Sequence, residues 1–293
     1  MRDCFNNLDK SPPIETGHLK SYDGSTLLPN SARIQLNNGL VTSIEVKEYV
    51  KGLGVPLVGI TTSERLRDLP TGSVEGVKIL RGVAEELPSA RSAIILGYRI
   101  WDQMFNLAVS YPSFRGSTLR GADEDFEWYQ LYQEVVKNKA WQLASHLLRL
   151  GNEATVASGI SLKPAAIKAG LGFRGKNTLV ITPEHGPRVR FAAVLTSASL
   201  EPDEPFRENL CGECDKCIRA CPTNALHPYR IEIKRCLTYA MEHPESLDVG
   251  ADVRKLEKEF VVKPTRNSYV ECTICQDSCP IGQQLGGHCE SRI

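Results

Sequence analysis

Residues 211–222 read CGECDKCIRACP, four cysteines at gaps of two, two and three residues with proline directly after the fourth. No other feature constrains the fold so tightly. Thiolates are soft donors suited to iron–sulfur cores, and two-residue gaps let one tight loop present three of them to corners of a single cube. The fourth cysteine, set one residue further on, turns away from that cube and serves a neighbouring one in two-cluster domains. Its proline ends the wrapping loop without needing a backbone donor. The chain has 10 cysteines in 293 residues, nine of them beyond residue 210. A secreted disulfide scaffold would be shorter and would not gather cysteines at such gaps.

A second motif, CTICQDSCP at 272–280, repeats the pattern with its first cysteine missing, and Tyr269 stands in that place. One more thiolate is required, and Cys236 in KRCLTY is the obvious donor. The tally then closes at eight, two sets of four. Pseudo-symmetry between the motifs assigns Cys211, Cys214, Cys217 and Cys279 to one [4Fe–4S] cluster, and Cys221, Cys236, Cys272 and Cys275 to the other. Two four-cysteine zinc sites would also use eight thiolates, but a zinc ribbon spaces its ligands pair by pair, less densely than this run. Cys4 and Cys289 are left over and read as free thiols in the terminal segments. The module is patterned like a bacterial-type two-cluster ferredoxin. Two clusters in one module form a wire for electrons, and a wire implies something at its far end.

The rest of the chain narrows the setting. Its 35 basic residues balance 35 acidic ones, which gives no argument for non-specific nucleic-acid binding. The opening MRDCFNNLDKSPP has neither the apolar stretch of a signal peptide nor a twin-arginine pair. No apolar run approaches the ~18 residues of a membrane helix, so the expected location is cytoplasmic. Residues 1–42, rich in Asn, Ser, Pro and Gly, read as an extended or wrapping arm. From 43 to 204 the pattern is α/β. SIEVKEYVKGLG is a helix closed by glycine, while VPLVGITT (55–62) and RSAIILGYRI (91–100) are buried strands. A long helix is predicted from Asp123 to Leu150, with Tyr132, Val136, Ala140, Leu143, Leu147 and Leu150 on one apolar stripe. Asp123, Glu124 and Asp125 would fall in its first turn, at the positive end of the helix dipole. EATVASG reads as a short strand, LKPAAIKAG as a short helix, and PEHGP as the turn of a hairpin between NTLVITP and RVRFAAVLTSA. EPDEPFRENL marks a boundary, leaving 205–293 to the cluster module.

Taken in order, these motifs resemble the epoxyqueuosine reductase family and, more distantly, the reductive dehalogenases. The resemblance is carried by VKEYVKGLGVPLVGITTSERL (46–66), AGLGFRGKNTLVITPEHGPRVRFAAVLTSASLEPDEPF (169–206), CGECDKCIRACPTNAL, KRCLTY and ECTICQDSCP. It implies an α/β (α+β) chain in which a nitroreductase-like, cobalamin-binding domain precedes the ferredoxin-like module. It also implies an oxidoreductase whose clusters bring cob(II)alamin to cob(I)alamin for reductive chemistry on a modified nucleoside or a small molecule. Ferredoxin or flavodoxin would be the electron donor, and no membrane is involved. Two other readings stay open: a nitroreductase-like reductase with a different cofactor such as a flavin, and a non-enzymatic electron-transfer protein serving a corrinoid partner.

The chain departs from the family in three respects. The helical-repeat extension that helps grip tRNA is not found after the ferredoxin module. The acid-bearing V-D-x-x-P-type motif aligns near Val156 in EATVASGISLKP, which holds no Asp, and the nearest acid is Glu153. The charge is neutral, so neither charge nor a repeat domain supports tRNA as a partner. Candidate proton donors are Tyr111 and Glu153. Tyr129 and Tyr132 share the substrate-side segment, but Tyr132 also lies on the core stripe. Arg115 and Arg120 are anion contacts or ordinary loop residues, and His185 is a turn residue. Gly170, Gly172, Gly175, Lys176 and Asn177 are the candidate cofactor contacts, with a helix C-cap and turn as the alternative. Their G-x-G-x-x-G spacing follows a helix rather than a strand, the wrong context for a dinucleotide. No D-x-H-x-x-G segment is present, so cobalamin would bind without a protein imidazole.

Overall fold

The computed structural model describes residues 41–74, 78–100, 106–112, 126–244, 246–265 and 268–283. Most of the N-terminal arm, the acidic run 123–125, Arg115, Arg120, Cys4 and Cys289 lie outside them.

An apolar run that can be buried on both faces builds the central layer. Strand Ser92–Arg99 pairs antiparallel with Leu57–Thr62 on one side and Val189–Thr196 on the other, and Ala154–Val156 adds beyond the latter. Side chains on a strand alternate between faces. Ile94 and Leu96 enter one core, and Ala93 and Ile95 enter another. The first core takes Val46 and Val50 from helix Ser43–Gly52, and Val136, Ala140, Leu143 and Leu147 from helix Leu131–Arg149. The second takes Ala165 and Ala166 from helix Leu162–Lys168. Helices on both faces of an antiparallel sheet make the class mixed α/β, in the α+β sense. Thr42 and Glu45 form a capping box that starts Ser43–Gly52.

Two local expectations give way to long-range pairing. The long helix begins at Leu131 rather than Asp123, because Phe126–Gln130 is a strand paired with Leu107–Pro112. The aromatic FEWYQ suits a strand, and the stripe beginning at Tyr132 is the same whichever residue starts the helix. PEHGP does form a turn, with paired backbone hydrogen bonds between Thr182 and Gly186 of 3.0 and 2.8 Å. Its flanking strands nevertheless diverge: Val180–Ile181 pairs with Phe173–Arg174, and Val189–Thr196 enters the central sheet. Turn chemistry announces a reversal of the chain without naming the partner of either arm. Finally, Ser268–Val270 adds to Leu107–Val109, 161 residues earlier, in a sheet with Phe126–Gln130. Tyr269 of that strand is fully buried in a third core with Ala108, Leu237, Tyr239, Ala240, Met241 and Val253. The position that the motif would give to a first cysteine belongs to this core instead. Among the described residues no helix is long and apolar enough to cross a membrane.

Candidate iron–sulfur centre

Short turns and half-turn helices carry the cysteines. Cys211 and Cys214 bracket a turn closed by the Cys214 N–H donating to the Cys211 carbonyl at 2.8 Å. Cys217 lies in helix Lys216–Ala220, and Cys221 follows its last residue. Cys275 lies in helix Ile274–Asp277, which packs on Lys216–Ala220, and Cys279 follows with its N–H on the Gln276 carbonyl at 3.2 Å. Cys236 stands at the start of helix Leu237–Glu242. All eight are free thiols. Their mutual electrostatics sort them into two groups. Cys217 is influenced by Cys211, Cys279 and Cys214, and Cys279 by Cys211 and Cys214. Cys275 is influenced by Cys236, Cys272 and Cys221, and Cys272 by Cys236 and Cys221. Helix Ile274–Asp277, packed on Lys216–Ala220, sets the two groups side by side.

Burial is the first cause acting on these thiols. It pushes Cys275 strongly up, Cys272 up to about 11, and Cys217, Cys236 and Cys279 in the same direction. Such thiols resist ionising by themselves, whereas a coordinated thiol is deprotonated outright by the cation it binds. Two sets of four soft, half-buried to buried donors therefore fit two [4Fe–4S] clusters. Among the described residues no three His, Cys, Asp or Glu side chains close on one ion. Ligands to the corners of a cube stand farther apart than the four ligands of a single tetrahedral zinc.

Two arginines, unmarked by any motif, tie the second cysteine segment to the central sheet. The Arg188 guanidinium donates to the carbonyls of Gln276 (2.9 Å), Cys279 (3.1 Å) and Ile281 (3.1 Å). Arg190 donates to Asn106 Oδ1 (3.0 Å), Gln276 Oε1 (3.3 Å) and Glu271 Oε2 (3.3 Å), and its guanidinium lies 4.5 Å from the centre of the Tyr132 ring. The Tyr132 hydroxyl donates to Gln130 Oε1 (2.8 Å) and Glu271 Oε1 (3.2 Å), and the Gln130 amide donates to Glu271 as well. Burial pushes the Glu271 carboxyl up while Arg190 pulls it back. Burial, then the Glu271 charge, drives the Tyr132 hydroxyl up. This network sits directly before Cys272. The alternation in Arg188-Val189-Arg190 was the available sequence signal, since a two-residue step puts both arginines on one side of a strand. Beside them, Gly186 and Gly282 press backbone on backbone: a methyl at Gly186 would strike the Ile281 carbonyl, and one at Gly282 would strike His185.

The other candidates are placed as follows. Gly170 (φ +77°) ends helix Leu162–Lys168 in a Schellman arrangement, Leu171 N–H to Ala166 O and Gly170 N–H to Ile167 O. Methyl groups at Gly170, Gly172 and Gly175 would strike Glu204, the Ile181 backbone and the Ile181 side chain, so the chain's own packing accounts for these glycines. The Lys176 ammonium donates to the Gly212 carbonyl at 2.7 Å, inside the first cysteine loop. Asn177 is buried, and its Nδ2 has no hydrogen-bond partner among the described residues. Phe173 and Ile181, flanking this loop, pack with Cys279, Cys211 and Ile281. The glycine loop thus borders the first cysteine group. Tyr111 lies on Leu107–Pro112 opposite Glu127, described at the backbone only. Glu153 is exposed and accepts from the Ser89 hydroxyl, and among the described residues no cysteine is one of its partners. The Glu86 carboxylate accepts from the N–H groups of Ser158 and Gly159, in the segment where the family's acid would stand.

Fold and site together define a class: a two-cluster iron–sulfur domain joined to an α+β domain. A family profile described as "4Fe-4S double cluster binding domain" matches residues 210–282. The particular likeness is to epoxyqueuosine reductases. The chain is 29% identical over 263 residues to that of Bacillus subtilis, covering 83% of this chain and 64% of the relative. It is 38% identical over 122 residues to that of a Synechococcus strain, covering 41% and 34%. A solved B. subtilis epoxyqueuosine reductase superposes with a TM-score of 0.60 at 22% identity, over 84% of this chain and 66% of that one. An epoxyqueuosine reductase solved with an epoxyqueuosine-modified tRNA-Tyr stem loop superposes with a TM-score of 0.58 at 23% identity. The fold is therefore shared with these enzymes. The chain spans just under two thirds of the length of the first relatives it matches.

Proposed function

We propose that this chain is an iron–sulfur reductase of the epoxyqueuosine-reductase type. In this reading residues 205–293 carry two [4Fe–4S] clusters on Cys211, Cys214, Cys217 and Cys279, and on Cys221, Cys236, Cys272 and Cys275. Residues 43–204 hold cobalamin and the substrate. The carrying observation is that each cysteine group draws on both motifs, while Arg188, Arg190 and the strand Ser268–Val270 fasten the second motif to the α+β part. A wire so fastened delivers electrons into that part rather than onto a detached lobe.

Bound cobalamin would supply the reductive chemistry that no side chain provides. The unpartnered, buried Asn177 amide suits a cofactor fringed with amide acceptors, and an unsatisfied buried donor is costly unless something accepts from it. Lys176 holds that loop against the first cysteine group. A ferredoxin or flavodoxin is the natural one-electron donor, and the substrate is a modified nucleoside, as in the tRNA-bound relative, or a small molecule. A second reading, an electron-transfer protein for a corrinoid partner, is favoured by the loop at Val156–Gly159, which carries no acid of its own and whose Ser158 and Gly159 N–H groups already occupy the Glu86 carboxylate.

Anaerobic reconstitution tests both. A holoprotein with about eight irons per chain that takes up cobalamin with a corrinoid absorption band, and reduces epoxyqueuosine in a tRNA stem loop, carries the first reading. A holoprotein with full iron and no cobalamin affinity overturns it. Reduction of a corrinoid protein without turnover by the isolated chain carries the second.

A further inference from the structure

Arg188 and Arg190 reach the same cysteine segment but differ in what neutralises them. Arg190 faces Glu271 and is paired. Arg188 is bonded to three carbonyl oxygens and, among the described residues, has no carboxylate partner. Its positive charge is thus left whole, against Cys279. The planar guanidinium fork is fixed by three acceptors on one turn of chain, so the charge cannot swing into solvent. The Lys176 ammonium adds a second cation at Gly212, on the same cysteine group. The other group has different neighbours. It faces the Glu271–Arg190 pair and Asp277, whose carboxylate accepts from the Thr273 hydroxyl at 2.6 Å and acts on Cys272. The Cys279 group thus meets a fixed cation with no carboxylate partner among the described residues, whereas the cation nearest the other group is paired, and the further charges in the two segments, Asp215 beside the first and Lys234 and Arg235 beside the second, are each paired with an opposite charge.

A [4Fe–4S] cluster passing from the 2+ to the 1+ state gains one electron from the donor, and nearby positive charge favours the reduced form. Charge and hydrogen bonding around the core are what set cluster potentials. A charge held in a partly buried position is screened less by salt than a surface charge. We propose that Arg188 separates the two clusters in reduction potential, holding the cluster of Cys211, Cys214, Cys217 and Cys279 at the higher value. Arg188 is a positioning residue, acting through the cluster environment rather than on substrate. The proposal rests on the cluster assignment made above. It further makes the Cys279 cluster the place where a single electron rests, and the Cys236 cluster the stronger reductant.

The test is an EPR-monitored redox titration of anaerobically reconstituted holoprotein, wild type beside Arg188→Lys, Arg188→Gln and Glu271→Gln. Iron and sulfide analysis comes first. A wild-type protein without about eight irons refutes the cluster assignment itself, a failure distinct from that of the charge proposal. With full iron, Arg188→Gln, which keeps donors but removes charge, should lower one midpoint and leave the other in place. Arg188→Lys should keep both near wild type. Glu271→Gln, which leaves Arg190 unpaired, should raise the other midpoint and narrow the gap. Equal shifts of both midpoints, or none, in Arg188→Gln overturn the proposal. If neither Arg188 variant retains its iron, the Glu271→Gln result decides: a narrowed gap supports the proposal and an unchanged gap overturns it.

Discussion

Replacing Arg190 with methionine leaves Glu271 buried with its cationic partner gone. The carboxylate is 7% exposed and the arginine 16%, at 3.3 Å. Breaking one partner of a buried pair costs roughly 3–5 kcal/mol, because the remaining charge is uncompensated. The loss of the guanidinium over the Tyr132 ring acts in the same direction. For a domain of this size each kcal/mol moves Tm by about 2–4 °C, so Arg190→Met should melt roughly 6–20 °C lower. The decisive assay is a double-mutant cycle, read as Tm at one fixed scan rate. Glu271→Gln keeps an acceptor for Tyr132 and Gln130 while removing the charge that Arg190 answers. Arg190→Met combined with Glu271→Gln should therefore be more stable than the two single losses summed, by about 0.5–3 kcal/mol of coupling. Strict additivity would refute the reasoning, since it would mean that Arg190 stabilises through packing alone.

Other outcomes follow from the same geometry. Tyr132→Phe deprives buried Gln130 and Glu271 of a donor and should cost about 1–3 kcal/mol, measured as a fall in Tm. Gly186→Ala drives a methyl into the Ile281 carbonyl and should speed iron loss to a chelator, whereas Gly54→Ala, with positive φ but open space, should cost only about 1–2 kcal/mol of backbone strain and leave iron retention unchanged. Cys236→Ala should retain about four irons of eight, by elemental analysis. His146 is held below its ordinary pKa by burial and by Arg149, with Glu45 opposing. A histidine that is harder to protonate when folded loses stability as pH falls through its unfolded value near 6.5. Accordingly, the Tm of wild type should drop more than that of His146→Gln between pH 7.5 and 5.5, and parallel curves would reject this assignment.

Some of this was readable from local chemistry. Soft-ligand spacing names eight thiols and a two-cluster domain, because a cube needs four donors and a tight loop can offer three. Apolar periodicity marks the stripe of Leu131–Arg149, since a helix repeats its buried face whatever lies opposite. The unbroken apolar run of Ser92–Arg99 marks a strand covered on both sides. The rest depends on residues far apart in sequence. Nothing local says that Ser268–Val270 pairs with Leu107–Val109, or that Phe126–Gln130 leaves the predicted helix to join them. Nor does spacing reveal that Glu271 meets Arg190, or that Arg188 is bonded to three carbonyls while Arg190 is neutralised. Composition and spacing determine which groups can bind iron. Only the tertiary structure decides which charges surround them, because electrostatic environment is a property of distances that the order of residues does not contain.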